Sequence, residues 1–159
     1  MKQFGSFLGT NEVRTTNITF STRNPRTNTF LANHFFEATQ EDIQHAVTLA
    51  QQALFPFSAS EKRSDFLALI AAKLDSHRTS LIETYTLESG LSKSRGEVEL
   101  NRTIFQLNAF SKLIDTPNWN ISHTSEAEEL RIPSRKPQLV KKQIPIGVVA
   151  VFGASNFPF

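Results

Sequence analysis

The chain has 159 residues, a formal net charge of +2 and no cysteine. The missing thiols exclude disulfides, thiolate metal sites and a cysteine nucleophile among these residues. The basic residues are scattered along the chain, which argues against a nucleic-acid partner. No apolar run approaches the roughly 20 residues that span a bilayer. The apolar stretch at the amino terminus is too short and too interrupted by polar residues for a signal peptide. We therefore expect a soluble cytoplasmic protein without a membrane partner.

The amino-terminal region, up to about residue 38, is rich in Thr, Asn, Arg and Phe and has no helical period. Alternation in residues 18–21 and 29–31 predicts short strands around a turn at Asn24-Pro25.

Helical signals begin at Thr39, which is expected to cap a first helix that Pro56 ends. Glu41 and Asp42 then place negative charge in its first turn. Ser60 is expected to cap a second helix. Apolar residues at helical spacing give each helix one apolar face, with Ile43, Ala46, Val47, Ala50, Ala53 and Leu54 on the first and Phe66, Leu67, Ile70, Ala71 and Leu74 on the second.

A third helix is predicted around Leu81–Leu87, ending at Ser89-Gly90 because glycine favours the position after a helix end. Ser94 and Glu97 have the spacing of a capping box, which predicts the start of a fourth helix. The apolar face of this fourth helix contains Val98, Ile104, Leu107, Phe110 and Ile114.

Beyond a loop at residues 115–125 the helical spacing of apolar residues ends, and strands are predicted at 129–132 and 138–144. The all-apolar run between Gly147 and Gly153 is typical of a parallel strand buried on both faces. Each large side chain in it would contribute on the order of 1.5–3 kcal/mol when buried. Neither partner strands nor a covering helix follow in the sequence, so we expect an incomplete fold.

The polar residues after this run are the first candidates for a site. In open α/β sheets ligands gather beyond the carboxyl ends of strands, and the side-chain amide of Asn156 is able to stabilise an oxyanion. Gly153, Ser155, Asn156 and Pro158 are also common turn residues. By composition alone, a plain turn is the simpler interpretation.

Other chemically active residues favour structural interpretations. The four histidines lack metal-ligand spacing, so no metal site is expected, and Ser155 lacks the glycine pattern of a nucleophile elbow. Glu88 is interpreted as a helix-end residue. Three charged residues are interpreted as surface ion pairs on the fourth helix: Glu97, Glu99 and Arg102.

The segment from Ile144 to Pro158 resembles the part of aldehyde dehydrogenases that leads into their Asn-Phe-Pro motif. Its Phe-Gly-Ala-Ser-Asn-Phe-Pro wording is similar to the 2-oxoglutarate semialdehyde (2,5-dioxopentanoate) dehydrogenase branch; most other branches have Pro-Trp before that Asn. The upstream segments Glu88–Leu91, Arg95–Glu97 and Arg102–Leu107 are similar to the same branch, and residues 63–74 resemble an Arg-rich family helix.

This resemblance implies an oxyanion-stabilising role for Asn156 and a place in the cofactor cleft for Gly153, Ala154 and Ser155. The family reaction uses a cysteine thiolate, hydride transfer to NAD or NADP and a glutamate-activated water. The nucleophile and the general base are missing here, so we expect this chain alone to be inactive. The small-molecule substrate implied is 2-oxoglutarate semialdehyde or a similar aldehyde.

The predicted fold class is α/β, with amino-terminal strands, a four-helix cluster and the start of a Rossmann-like parallel sheet. Residues 1–159 are expected to form an incomplete amino-terminal cofactor-binding domain. By resemblance, residues near 127–146 lead into an oligomerisation arm, and the full-length form is a homo-oligomer. The alternative hypothesis is a stand-alone, non-catalytic helical binding module.

Overall fold

The computed structural model describes residues 2–54 and 60–159, without the side chains of residues 60 and 61. The amino-terminal region forms short strands joined into small sheets. Its seven strands are β1 (Gln3–Phe4), β2 (Ser6–Leu8), β3 (Asn11–Val13), β4 (Thr19–Phe20), β5 (Arg23–Asn24), β6 (Thr29–Phe30) and β7 (His34–Phe36). One sheet has the order β1-β7-β4, with β1 parallel and β4 antiparallel to β7, while β2–β3 and β5–β6 form antiparallel pairs.

Aromatic stacking holds the three-stranded sheet together. The Phe35 ring stacks on Phe4 and on Phe20, with ring centroids 5.5 Å apart in both pairs. The strands predicted at 18–21 and 29–31 are present in shortened form as β4 and β6. The turn at Asn24-Pro25 connects β5 to β6.

The first helix, α1 (Gln40–Ala53), begins with the predicted cap. The Thr39 hydroxyl accepts from the Asp42 backbone N–H at 3.1 Å, and the Asp42 carboxylate accepts from the Thr39 N–H at 2.8 Å. The Thr15 hydroxyl also donates to that carboxylate, which ties the helix to the strand region. Pro56, the predicted helix end, lies outside the described residues.

Three further helices follow: α2 (Ser60–Ser76), α3 (Arg78–Ser89) and α4 (Lys93–Asp115). Gly90 ends α3 in the left-handed conformation, φ 69°, as predicted. The predicted cap of α4 is wrong by two residues: Ser92, with extended backbone, accepts from the Arg95 N–H, and Ser94 lies inside the helix. Ser60 is the first residue of α2, and its proposed capping contact lies outside the described side chains.

The core lies between α2, α3 and α4. Ile82 and Leu100 are its most deeply buried large side chains, and Ala71 of α2 is also buried. A buried polar contact also joins α2 to α4, because the Ser64 hydroxyl lies within hydrogen-bonding distance of Ser111 Oγ and Asp115 Oδ2. Six residues placed on apolar faces are instead exposed, since their side chains point away from this core: Ile43, Ala53, Leu54, Phe66, Val98 and Phe110.

Beyond α4 the chain forms one short hairpin, β8 (His123–Ser125) with β9 (Leu139–Lys141). The strand predicted at 129–132 is wrong. Glu128 and Lys136 exchange backbone hydrogen bonds, so the residues between them form the loop across this bridge and have no ladder to join. The strand predicted at 138–144 is present only in its first half.

The predicted strand between Gly147 and Gly153 does not form. In the part of the chain that the structure describes, no strand lies beside it, and Val151 and Phe152 are 85% and 94% exposed. A strand needs a neighbouring ladder to satisfy its backbone groups. The α/β fold class is confirmed by the mixed helices and small sheets. None of the described helices is both long and apolar enough to cross a membrane.

Candidate functional site

The predicted site residues lie on one exposed segment that ends in a tight turn. Gly153, Ala154, Ser155 and Asn156 are all exposed, and the Phe157 N–H donates to the Ala154 carbonyl at 3.2 Å. The plain-turn interpretation is therefore correct for the backbone. It leaves open a chemical role for the side chains that the turn presents.

The main chain of Asn156 is held by the fourth helix. Arg95 Nη2 donates to the Asn156 carbonyl oxygen at 2.7 Å, and the Arg95 guanidinium lies 5.2 Å from the centre of the Phe157 ring. By contrast, the Asn156 side-chain amide makes no hydrogen bond to the described residues. The turn is thus anchored through its backbone, and the side-chain N–H groups are free to bind a ligand oxygen.

A second contact, made by Phe159, holds the turn against α3. The Phe159 ring stacks on Tyr85 of α3, with ring centroids 5.2 Å apart and planes 1° from parallel. Tyr85 itself is buried where Gly96 brings α4 close to α3. Burial, and then the nearby Glu99 carboxylate, raises the pKa of the Tyr85 phenol, so the phenol stays protonated near neutral pH.

Glu99 is a buried charged residue next to Arg95 and Tyr85. It accepts from Arg95 Nε at 2.8 Å and is only 6% exposed. Its second oxygen, Oε2, and Tyr85 Oη are buried without a hydrogen-bond partner among the described residues. An unpaired buried oxygen is costly, so the ion pair with Arg95 is the principal compensation for burying this carboxylate.

A cleft of about 310 Å³ separates the turn from α3. Ser155, Pro158 and Phe159 line one side, and the last two turns of α3, including Glu88, line the other. Glu88 accepts from the Thr22 hydroxyl at 2.8 Å, which agrees with its interpretation as a structural helix-end residue.

The charged cluster on α4 differs from its prediction. Glu97 pairs with Arg78 across helices at 2.7 Å, and Glu99 is buried against Arg95. Arg102 forms no ion pair within the described residues. The spacing of Arg95 and Glu99, four residues apart on a helix, is the sequence signal for their pair. Nothing in the sequence shows its burial or its contact with Asn156.

Within the described residues, no group of three His, Asp or Glu side chains is placed to hold a metal ion.

Sequence comparison connects this chain to known enzymes. Residues 13–159 match the sequence profile of the aldehyde dehydrogenase family. The chain is 32% identical over 126 residues to alpha-ketoglutaric semialdehyde dehydrogenase 2 of Azospirillum brasilense and, over the same length, to the alpha-ketoglutaric semialdehyde dehydrogenase of Acinetobacter baylyi. Each alignment covers 78% of this chain and 24% of the relative, so the chain spans about a quarter of the length of these curated relatives.

Solved structures share the fold. Aldehyde dehydrogenase 21 from Physcomitrella patens, in complex with the reaction product succinate, superposes with a TM-score of 0.75 at 24% identity, over 99% of this chain and 32% of that one. A betaine aldehyde dehydrogenase from Staphylococcus aureus in complex with NAD+ superposes with a TM-score of 0.66 at 20% identity, over 77% and 25% of the two chains. The predicted fold is therefore confirmed as that of the amino-terminal part of such enzymes.

Proposed function

From the premise that this chain belongs to the aldehyde dehydrogenase family, we propose that it supplies the oxyanion-stabilising side chain of an NAD(P)-dependent enzyme. The substrate is 2-oxoglutarate semialdehyde, also called alpha-ketoglutaric semialdehyde, or a similar aldehyde, and the product is its carboxylate. The observation that supports this proposal most directly is the free, exposed side-chain amide of Asn156 on a turn whose backbone is anchored.

Asn156 acts by donating a side-chain N–H to the oxygen on which negative charge develops when a nucleophile attacks the aldehyde carbon. A preorganised donor is effective there because it needs no reorientation during the reaction. The Arg95 and Tyr85 contacts provide that preorganisation by holding the residues around it.

Gly153, Ala154 and Ser155 are proposed to line the cofactor cleft. A side chain added at Gly153 would meet nothing within 4 Å, so the backbone here has open space on that side. The exposed, uncharged edge that these three residues form suits a dinucleotide lying against it. A nicotinamide dinucleotide held there would supply the hydride acceptor for the reaction.

The nucleophile of this reaction is not among the 159 residues, since the chain has no cysteine. In this family's chemistry, a thiolate must attack the aldehyde before hydride transfer. We therefore propose that the 159-residue chain is inactive by itself.

The decisive experiment starts from the protein that its native source makes. Its intact mass, compared with 17.9 kDa for this chain, shows whether further residues are present. Reduction of NAD and of NADP is then followed with 2-oxoglutarate semialdehyde as substrate. We expect Asn156→Ala to lower kcat roughly 10²–10³-fold, whereas the exposed control Asn101→Ala leaves it unchanged.

Three results would contradict the proposal: no aldehyde-dependent reduction by the native-source protein, an unchanged kcat in Asn156→Ala, or reduction by the pure 159-residue chain above a no-protein blank. The first two address the enzymatic assignment. The third addresses only the inactivity of the isolated chain.

Assembly and location are further parts of this proposal. We propose a cytoplasmic homo-oligomer, with residues near 127–146 leading into its oligomerisation arm. Support comes from Leu130 and Ile132, which are 95% and 90% exposed and would be covered by an adjoining subunit. Light scattering of the native-source protein tests this: Leu130→Ser is expected to lower the oligomer mass, and Leu54→Ser, at an exposed position just after α1, is the control.

A further inference from the structure

The peptide group between Asn156 and Phe157 is bonded at both of its ends. Its carbonyl oxygen accepts from Arg95 Nη2 at 2.7 Å, and its N–H donates to the Ala154 carbonyl at 3.2 Å. A peptide group is planar, so two bonds on opposite sides fix its orientation. The backbone next to the Asn156 side chain is therefore held in one direction.

The guanidinium of Arg95 makes a second contact with the same segment. Its Cζ atom lies over the Phe157 ring, 5.2 Å from the ring centre. A guanidinium combines hydrogen bonding and stacking in one rigid group, which a lysine ammonium does not. Arg95 thus restrains both the carbonyl of Asn156 and the side chain that follows it.

Glu99 fixes the position of Arg95 in turn. The Arg95 side chain is 43% exposed, but its Nε donates at 2.8 Å to a carboxylate that is only 6% exposed. One turn of α4 separates the two residues, so the helix itself sets their spacing. The flexible, partly exposed arginine is in this way attached to the rigid core.

We propose that Arg95 is a positioning residue for Asn156 and that Glu99 is the support that holds Arg95 in place. This inference rests on the proposed function for its catalytic meaning, because Asn156 must stabilise the oxyanion for its orientation to matter. The restraint itself requires neither aldehyde nor cofactor.

The test uses the full 159-residue chain, ¹⁵N-labelled and in dilute solution. Nuclear magnetic resonance measures the solvent exchange of the Phe157 backbone amide and the resonances of the Asn156 side-chain amide. The variants are Arg95→Met, Arg95→Lys and Glu99→Gln, and Arg102→Met is the matched control because it removes an exposed arginine from the same helix. Thermal unfolding of each variant is recorded in parallel.

We expect Arg95→Met to speed exchange of the Phe157 amide about three- to tenfold, as the loss of one partly exposed hydrogen bond to the adjoining Asn156 carbonyl implies. Arg95→Lys is expected to fall between Arg95→Met and the wild type, because an ammonium restores the hydrogen bond without the stacking contact. Glu99→Gln is expected to speed exchange less than Arg95→Met. The Asn156 side-chain resonances are expected to shift in all three, and in the control neither quantity changes.

Exchange in Arg95→Met and Arg95→Lys equal to that in Arg102→Met would overturn the inference. If Arg95→Met fails to fold, Arg95→Lys and Glu99→Gln decide the question by the same measurement. If amide exchange is unchanged in these variants, the kinetic test of Asn156 remains valid, because it does not depend on Arg95. Conversely, an unaltered kcat in Asn156→Ala would remove the proposed function while the turn measurement stands.

Discussion

Gly96 is the residue on which the close packing of α3 and α4 depends. A Cβ atom at this position would lie 2.9 Å from Tyr85 Cδ1 and 3.1 Å from Ile82 Cδ1. Overpacking typically costs about 1–3 kcal/mol, and the better helix propensity of alanine returns about 1 kcal/mol. We expect Gly96→Ala to lower the free energy of unfolding on the order of 1 kcal/mol.

Urea unfolding measures this change. Asn108→Ala is the control because it places the same side chain on the exposed face of α4, where a gain of a few tenths of a kcal/mol is expected. Equal behaviour of the two variants would show that α3 and α4 do not approach as closely as described.

Asp42 gives the fold a dependence on pH. Hydrogen bonds from the Thr15 hydroxyl and the Thr39 N–H hold the pKa of this carboxyl below its ordinary value. Because the unfolded state then binds the proton more tightly, the stabilisation is present above the unfolded pKa of about 4. It is lost as the pH falls from there through the lower folded pKa.

Asp42→Asn is therefore expected to lose less thermal stability than the wild type when the pH is lowered from roughly 6 to 3. The melting temperature of both proteins across this range checks the expectation. Glu41→Gln, an exposed carboxylate in the same turn, should follow the wild-type profile. Parallel curves for Asp42→Asn and the wild type would contradict the prediction.

At the scale of one element, the start of α4 separates two neighbouring serines. Ser92 caps the helix, accepting from the Arg95 N–H at 3.3 Å, whereas Ser94 lies within the first turn. Losing an N-cap serine typically costs about 0.5–2 kcal/mol. We expect Ser92→Ala to lower the free energy of unfolding in urea by such an amount and Ser94→Ala to change it very little. The reverse order would instead support the capping box predicted from Ser94 and Glu97.

Local signals explain which elements were predicted correctly. The Thr39 cap and the Gly90 stop each depend on a few neighbouring residues, so the sequence is sufficient to place them. β1 and β7 have no recognisable alternation, and their pairing joins distant segments, so no local signal predicts them. The failed strand between Gly147 and Gly153 has the right composition, but a strand also needs a partner.

In the candidate site too, residues with a local sequence signal were predicted and those that depend on distant contacts were missed. Asn156 and its neighbours were found because the motif is contiguous and resembles a family motif. Arg95 was part of that resemblance without a role, because its contact with Asn156 spans 61 residues. Burial of Glu99 was missed because an Arg–Glu pair on a helix usually faces solvent.

At the scale of the whole molecule, the carboxyl-terminal segment contrasts with the helical core. Residues 143–159 contain no charged side chain. Ile146, Val151 and Phe152 are 91%, 85% and 94% exposed, while Ile82 and Leu100 are almost completely buried. An uncharged segment of high β-propensity that lacks a strand partner favours pairing with copies of itself. The helical core does not depend on this segment except through the contacts of the final turn.

We therefore expect the 159-residue chain to associate with itself as its concentration rises, through residues 146–152. Val151→Lys places a charge in the segment and is expected to raise the onset concentration on the order of tenfold, equivalent to about 1.4 kcal/mol of lost apolar burial. Light scattering over a concentration series measures the onset, and thermal unfolding checks that the helical core is unchanged. Val98→Lys, at an exposed position on α4, is the control and should not alter the onset. A chain that stays monomeric and unfolds cooperatively would instead support the stand-alone binding module, because such a module must tolerate this apolar segment in water.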